Sequence, residues 1–171
     1  MTAPNIEIRP IREQDIGAFR AAVDAVARER HYLSTPQGPT LEGAANFVRN
    51  NIEKGNPQFV AIVDGSLVGW CDIVRGEGDF KRHVGTMGMG LLPPWRERGI
   101  GRQLLARTLA AADAVDLSRV ELSVHASNER AIRLYESLGF EHEGRQRSAR
   151  FIDSRFEDIV LMARLAPSLL L

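Results

Sequence analysis

The chain has 171 residues, with 22 Lys plus Arg balanced by 22 Asp plus Glu. This length suits one domain with a core of ordinary size, so we expect residues 1–171 to form a single domain. The balanced charge gives no general reason to expect nucleic acid or an anionic membrane as partner. The single cysteine, Cys71, excludes an internal disulfide, and no apolar signal segment follows residue 1. We therefore expect a cytoplasmic protein.

Hydrophobic periodicity predicts strands and helices along the whole chain. Alternating apolar residues indicate strands, and apolar residues three and four positions apart indicate helices. In chain order, we predict strand 6–9, helix 15–30, helix 40–55, strands 59–63, 67–74 and 83–92, helix 103–113, strand 119–124, helix 128–138 and strands 140–151 and 155–165. Tight turns join three consecutive strands, which favours a mixed, mostly antiparallel α/β sheet over a doubly wound one.

A glycine-rich loop, residues 96–102 with the sequence R-E-R-G-I-G-R, connects a predicted strand to a predicted helix. Gly99 and Gly101 let the backbone approach a ligand closely, and the free N–H groups at the start of the helix suit a phosphate. A P-loop is excluded because Arg102 and Gln103 stand where Lys and Ser or Thr are required. The dinucleotide motif is excluded because Leu104 replaces its third glycine. The loop therefore predicts a phosphate site of another kind.

The remaining pattern, R-x-x-G-x-G, resembles the acyl-CoA pyrophosphate loop of the GNAT superfamily of N-acetyltransferases. About thirty residues later, residues 128–140 resemble the N-x-x-A-x-x-x-Y-x-x-x-G-F segment of the same superfamily. Independently of any family, Ser127 or Asn128 can cap a helix here, and Gly139 is a suitable helix end. Both motifs occur in the order and at the separation found in the superfamily. The resemblance extends over roughly residues 6–165.

The resemblance implies the GNAT fold, with a central sheet of six to seven strands, a splay between strands 4 and 5, and about four flanking helices. It also implies acetyl-CoA as the acyl donor. The residues expected to bind it are Leu91, Leu92, Arg96, Arg98, Gly99, Ile100, Gly101, Arg102, Asn128 and Tyr135. No metal is expected, since the histidines are scattered and Cys71 has no partner cysteine.

Acetyl transfer to an amine requires a neutral amine, a polarised carbonyl and a proton for the departing thiolate. A tyrosine with an ordinary pKa of about 10 stays protonated at neutral pH, and we expect Tyr135 to donate this proton. A backbone N–H near Leu91 is expected to polarise the carbonyl. His83 and Glu121 are the candidate bases, with a chain of water molecules as the alternative.

The sequence says less about the amine that accepts the acetyl group than about the donor. Tyr32, in the loop between the first two helices, and Asp158, on the last strand, are candidate substrate contacts. The pattern of the last strands resembles bacterial acetyltransferases of small amines, especially an L-amino-acid branch. Acetylation of polyamines or protein N-termini, and acyl-CoA sensing without turnover, stay open as alternatives. We expect a homodimer that binds neither nucleic acid nor membrane.

Overall fold

A computed structural model of the protein describes residues 4–169, so residues 1–3 and 170–171 of the expected domain lie outside the described part. The seven strands and four α-helices of this described part follow one another in the predicted order. Their bounds are β1 Ile6–Pro10, α1 Ile16–Arg28, α2 Leu41–Lys54, β2 Gln58–Val63, β3 Ser66–Arg75, β4 Val84–Leu91, α3 Ile100–Ala114, β5 Arg119–His125, α4 Glu129–Glu136, β6 Glu141–Ile152 and β7 Arg155–Leu165.

The seven strands form one sheet in the order β1-β2-β3-β4-β5-β7-β6. All neighbouring strands are antiparallel except β4 and β5, which run parallel and pair only from Val84 to Thr86. Beyond Thr86 the two strands diverge, although β4 continues to Leu91 and stays paired with β3. The predicted mixed fold with a splay between the fourth and fifth strands is therefore confirmed.

The two faces of the sheet carry separate hydrophobic clusters. On one face, α1 and α2 pack over the sheet, and Phe19 of α1 meets the Trp70 ring of β3 edge-on at a centroid distance of 6.0 Å. On the other face, α3 contributes the fully buried Leu104 and Leu105 to a cluster that also contains Tyr135 of α4. The gap between β4 and β5 thus opens toward α1 on one face of the sheet and toward α3 on the other.

Two predicted boundaries differ from the structure in ways that matter for the site. The third helix begins at Ile100 rather than at residue 103, because Gly99 has a left-handed φ of 76° and starts the helix directly after the glycine loop. The fourth strand begins at Val84, so His83 lies in the preceding turn rather than in the strand.

Candidate active site

A cavity of about 470 Å³ lies in the gap between β4 and β5. Val26 of α1 and Tyr32 line it on the side of the sheet covered by α1. Gly101 of α3 and Tyr135 of α4 line it on the opposite side. The cavity therefore reaches both faces of the sheet, so two molecules entering from opposite faces can meet inside it.

The backbone of β4 directs hydrogen-bonding groups into this gap. The carbonyl of His83 accepts a hydrogen bond from the N–H of Arg119 at the start of β5, so the backbone of residue 83 points toward β5. Successive strand residues point their backbone groups to opposite sides, which directs those of Met89 and Leu91 the same way. Since β5 has already diverged there, these groups face the cavity instead of a partner strand.

The N-terminus of α3 forms another part of the wall, through Gly99, Gly101 and Arg102. The N–H of Gln103 donates to the carbonyl of Gly99, which leaves the N–H groups of residues 100–102 without a partner inside the helix. These groups carry the partial positive charge of the helix terminus. Arg102, whose guanidinium donates to the neutral Ser137 hydroxyl at 2.7 Å, adds a full charge beside them.

The fourth helix places Asn128 and Tyr135 on the cavity wall. Asn128 caps the helix, since its side-chain oxygen accepts from the N–H of Ala131 at 3.3 Å. Tyr135 is only 8% exposed, and its ring packs against Phe140 at a centroid distance of 5.8 Å. Burial raises the pKa of this phenol, with a smaller contribution from Cys71, so the hydroxyl stays protonated at neutral pH.

Comparison with known proteins agrees with this geometry. Residues 23–140 match the acetyltransferase (GNAT) family. The chain belongs to this family. It is a GNAT-type N-acetyltransferase. Enzymes of this family use acetyl-CoA as the donor of the acetyl group that they transfer. The resemblance that the two sequence motifs indicated is thereby confirmed.

Three similar proteins show the range of relatives of this GNAT protein. The L-amino acid N-acetyltransferase AaaT of Escherichia coli K12 is 28% identical over 91% of this chain and 96% of its own. A GNAT-family acetyltransferase from Streptococcus pneumoniae has a TM-score of 0.89 and 26% identity, covering 94% and 99% of the two chains. The putative acetyltransferase yncA of Salmonella typhimurium, solved with its cofactor acetyl-CoA, shares the fold with a TM-score of 0.88 at 19% identity, covering 94% and 93%.

The structure gives Arg96, the first residue of the GNAT loop motif, an unexpected partner. Its two terminal nitrogens donate to the Glu29 carboxylate at 2.7 and 2.5 Å, and its Nε donates to the Leu91 carbonyl at 2.9 Å. The guanidinium also lies 4.6 Å from the centre of the Tyr32 ring. Arg96 lines the cavity, but its charge is already paired. We therefore assign it the role of joining α1, the loop that contains Tyr32 and β4, rather than the phosphate contact expected from the sequence.

Three further residues expected to bind the donor lie outside the cavity lining. Ile100 is buried in the core beneath α3, and Leu92 packs in the cluster on the α1 side. The Arg98 guanidinium lies over the Trp95 ring at 5.2 Å. Ile100 still belongs to the first turn of α3, so only its backbone N–H is placed to meet a ligand.

The two side chains expected to act as bases do not reach the cavity. His83 is exposed in the turn before β4, at the end of that strand away from the splay. Glu121 lies beside Thr86, the last paired residue of β4, and accepts hydrogen bonds from Arg119. Their positions in the sequence predicted that both lie near the splay, but the strand register places them at the end where β4 and β5 are still paired. We therefore assign neither of them a catalytic role.

Of the two expected substrate contacts, the structure brings only Tyr32 to the cavity. The Asp158 carboxylate accepts from the backbone N–H of Ser148 and from Arg145, and these bonds hold its pKa below the ordinary value. Asp158 therefore ties β7 to the bulge in β6.

Sequence reasoning missed two cations on the wall, Arg130 and Arg133 of α4. Arg133 pairs with Glu129 at 3.3 Å, and Arg130 lies 3.7 Å from Glu97. Both ion pairs are exposed, so neither holds its arginine strongly. The signal that could have found them is their spacing of three residues within the α4 motif, which places them on neighbouring positions of one helix surface.

The described residues provide neither a cluster of metal-ligating side chains nor a helix that could span a membrane. Between residues 4 and 169, no group of three or more His, Cys, Asp or Glu side chains is arranged to hold a metal ion. Over the same stretch, every helix falls short of the length and apolar composition needed to cross a bilayer.

Proposed function

We propose that the protein transfers the acetyl group of acetyl-CoA to the primary amine of a small molecule, an L-amino acid, by direct attack within a ternary complex. The observation that carries this proposal is the cavity open to both faces of the sheet, with the N-terminus of α3 on one face and Val26, Tyr32 and Leu33 on the other. The similarity to an L-amino acid N-acetyltransferase over nearly the whole chain supports the acceptor class.

The donor fits the wall on the α3 side. The free N–H groups at the start of α3, with Arg102 and Arg130 beside them, suit its pyrophosphate. The N–H and C=O groups of Met89 suit its amide-containing arm, which offers matching donors and acceptors. The Leu91 carbonyl is taken by Arg96, so only the N–H of Leu91 is left to polarise the thioester carbonyl.

In the reaction, the nitrogen of the neutral amine attacks the carbonyl carbon of the thioester. The new C–N bond forms, and the C–S bond breaks as the thiolate leaves. We assign the proton that the thiolate takes up to the Tyr135 hydroxyl, whose buried position keeps it protonated. The amide nitrogen then gives up its extra proton and restores the phenol.

The proposal is tested by thiol release from acetyl-CoA with a panel of L-amino acids, polyamines and N-terminal peptides, using the wild type and Tyr135→Phe. We expect release with an amino acid and a decrease of about 10²-fold or more in kcat for the variant. Acetyl-CoA affinity should be unchanged in Tyr135→Phe, because only the hydroxyl is lost.

Other outcomes of the panel replace the proposal with a named alternative. Release with a polyamine or an N-terminal peptide alone would reassign the acceptor. Tight binding of acetyl-CoA with no release on any amine would make the protein an acyl-CoA sensor. Wild-type turnover in Tyr135→Phe would remove the acid role from Tyr135.

We further propose that residues 1–171 form one domain, that the protein acts as a homodimer in the cytoplasm, and that it binds neither nucleic acid nor membrane. The single sheet that contains strands from both ends of the described chain supports one domain. Light scattering of the purified full chain tests the dimer, since a monomeric mass at assay concentration would refute it.

A further inference from the structure

Asp72 of β3 is a buried carboxylate, and residues 4–169 place no cation beside it. It is 8% exposed, and among residues 4–169 no group donates a hydrogen bond to its carboxylate or raises its acidity by charge. Carboxylates are almost never this buried unless they are paired. This unpartnered group therefore requires an explanation beyond packing.

The strand register places Asp72 directly behind the cavity wall. Asp72 is the cross-strand partner of Gly88 on β4, and Gly88 lines the cavity. A side chain added at Gly88 would have its Cβ 3.5 Å from Oδ1 of Asp72. Because residue 88 is glycine, β4 contributes no side chain at the position between the carboxylate and the cavity.

The face of the sheet on which Asp72 lies is the acceptor face. Trp70, two residues earlier on β3, packs against Phe19 of α1, and side chains two apart in a strand share a face. Asp72 therefore points to the α1 side, whereas Tyr135 lies with α3 on the opposite side. The proton acceptor, Asp72, thus lies on the face from which the amine would enter, and the proton donor, Tyr135, lies on the face from which the thioester would enter.

A row of neutral polar groups extends from Asp72 away from the cavity. Gln58 of β2 is the other cross-strand partner of Asp72 and is 3% exposed. Its Oε1 accepts from the side-chain amide of Asn51 at 2.9 Å, but its Nε2 is buried without a partner among residues 4–169. The row carries no charge, and among residues 4–169 none of its groups donates a hydrogen bond to Asp72, so it does not lower the pKa of this carboxyl.

The charged groups around this position do not neutralise Asp72 either. On α1, Arg20 donates to the Pro39 carbonyl, and Asp24 pairs with Arg28. Gln58 and Asn51 are the buried polar residues that β2 and α2 contribute, and Gly88 is the facing residue of β4. Cys71, on the opposite face of β3, is protonated because burial raises its pKa. These surroundings leave burial as the dominant influence on Asp72.

We propose that Asp72 is the general base of the acetyl transfer, taking a proton from the acceptor ammonium, directly or through one water, past Gly88. This inference rests on the proposed function. The ammonium N–H bond breaks, its proton moves to the carboxylate, and the neutral amine then attacks the thioester; the proton later leaves to solvent. Burial raises the pKa of Asp72 to about 7, which lets it accept and release a proton near neutral pH.

The experiment compares the pH dependence of kcat/KM for the wild type and Asp72→Asn, with the amino acid that the wild type acetylates. We expect the variant to lose about 10²-fold or more at pH 7, a typical contribution of a general base. Its remaining activity should rise with pH as the free amine becomes available. Acetyl-CoA affinity should be unaffected.

A less basic acceptor separates proton transfer from structural support. The α-amine of an amino acid amide is less basic than that of the free amino acid, so more of it is already neutral at a given pH. If Asp72 acts as the base, the loss caused by Asp72→Asn should shrink at least about tenfold with the amide. A purely structural defect would reduce both acceptors equally.

Two further variants control for folding. Asp15→Asn removes a carboxylate of the same 8% exposure, but one that is paired with Arg9 and does not line the cavity. This variant should lower thermal stability and leave the pH profile unchanged. Gly88→Ala places a methyl group at ordinary contact distance from Asp72, so it should fold and yet decrease kcat by obstructing the passage.

The outcomes distinguish this inference from the proposed function. If the wild type acetylates an amine and Asp72→Asn matches its rate and pH profile, Asp72 is not the base. Equal losses on the free amino acid and its amide would also refute the assignment. If the wild type acetylates no amine at all, the proposed function fails, and the base assignment fails with it.

Discussion

The ion pair between Arg96 and Glu29 offers a test of what the first arginine of the loop motif does. Glu29→Gln keeps the size of the side chain but removes the charge that holds Arg96. If Arg96 joins α1 to β4, this change should destabilise the fold without improving donor binding. If Arg96 is a phosphate ligand, releasing it from Glu29 should tighten acetyl-CoA binding.

The expected magnitude follows from the geometry of the pair. Hydrogen bonds to charged groups contribute about 1.5–3 kcal/mol each. Arg96 is 14% exposed and Glu29 26%, so water compensates part of the loss, and glutamine keeps one acceptor oxygen. We therefore expect the free energy of unfolding to decrease by about 1–2 kcal/mol. For a domain of this size, that lowers Tm by about 2–8 °C.

The assay is thermal unfolding at physiological salt, with acetyl-CoA affinity measured by calorimetry. Glu13→Gln is the matched control, because Glu13 pairs with Arg49 on the surface, where both side chains are more than half exposed. That variant should change stability by less than about 0.5 kcal/mol. A Tm of Glu29→Gln equal to that of the control, or tighter acetyl-CoA binding, would refute the role assigned to Arg96.

Three further predictions concern the loop, the fourth helix and Asp72. Gly99→Ala should decrease the free energy of unfolding by about 1–2 kcal/mol, because Gly99 has a left-handed backbone, and it should also weaken acetyl-CoA binding. Gly55→Ala, with φ 66° and open space around it, should show only the loss of stability. Replacing Arg130 and Arg133 by Gln should weaken acetyl-CoA binding and flatten its salt dependence, because both charges are exposed and screened by salt. Burial raises the pKa of Asp72 from 3.8 to about 7 in the folded protein. Its contribution to stability is therefore fully present below pH 3.8 and is lost as the pH rises through 7. Over this range, the Tm of the wild type should decrease relative to that of Asp72→Asn.

Each of these predictions has a result that contradicts it. Equal acetyl-CoA affinity in Gly99→Ala and Gly55→Ala would mean that the loop conformation does not serve the donor. An unchanged salt dependence would remove the fourth-helix arginines from the phosphate site. A constant difference in Tm between the wild type and Asp72→Asn from pH 4 to pH 8 would show that Asp72 has an ordinary pKa in the folded protein.

Local patterns in the chain were sufficient to predict most of the architecture. The apolar spacing around Leu104 predicts a helix, because the same spacing places those side chains on the face that packs against the sheet. The Asp153-Ser154 turn predicts the last hairpin, and both residues indeed have positive φ angles. The order of strands and helices follows from such short-range signals, which act within a few residues.

The site shows where this local reasoning ends. Asn128 and Tyr135 occur at fixed positions of one helix motif, so their placement on a common wall is predictable from the sequence. His83 and Glu121 were placed near the splay by their position along the strands, but the point at which β4 and β5 separate depends on the register of the folded sheet. A shift of a few residues in this register decides whether a side chain faces a cavity or solvent.

The sequence by itself therefore determined the family, the order of the elements, the glycine loop that starts α3 and the tyrosine of the fourth helix, because each depends on neighbouring residues. Only the tertiary structure decided that Arg96 pairs with Glu29, 67 residues away, and that Asp72 lies buried behind Gly88. Both facts depend on which side chains meet after the sheet has formed. Charge pairing and desolvation act across space rather than along the chain, so no local pattern in the sequence reports them.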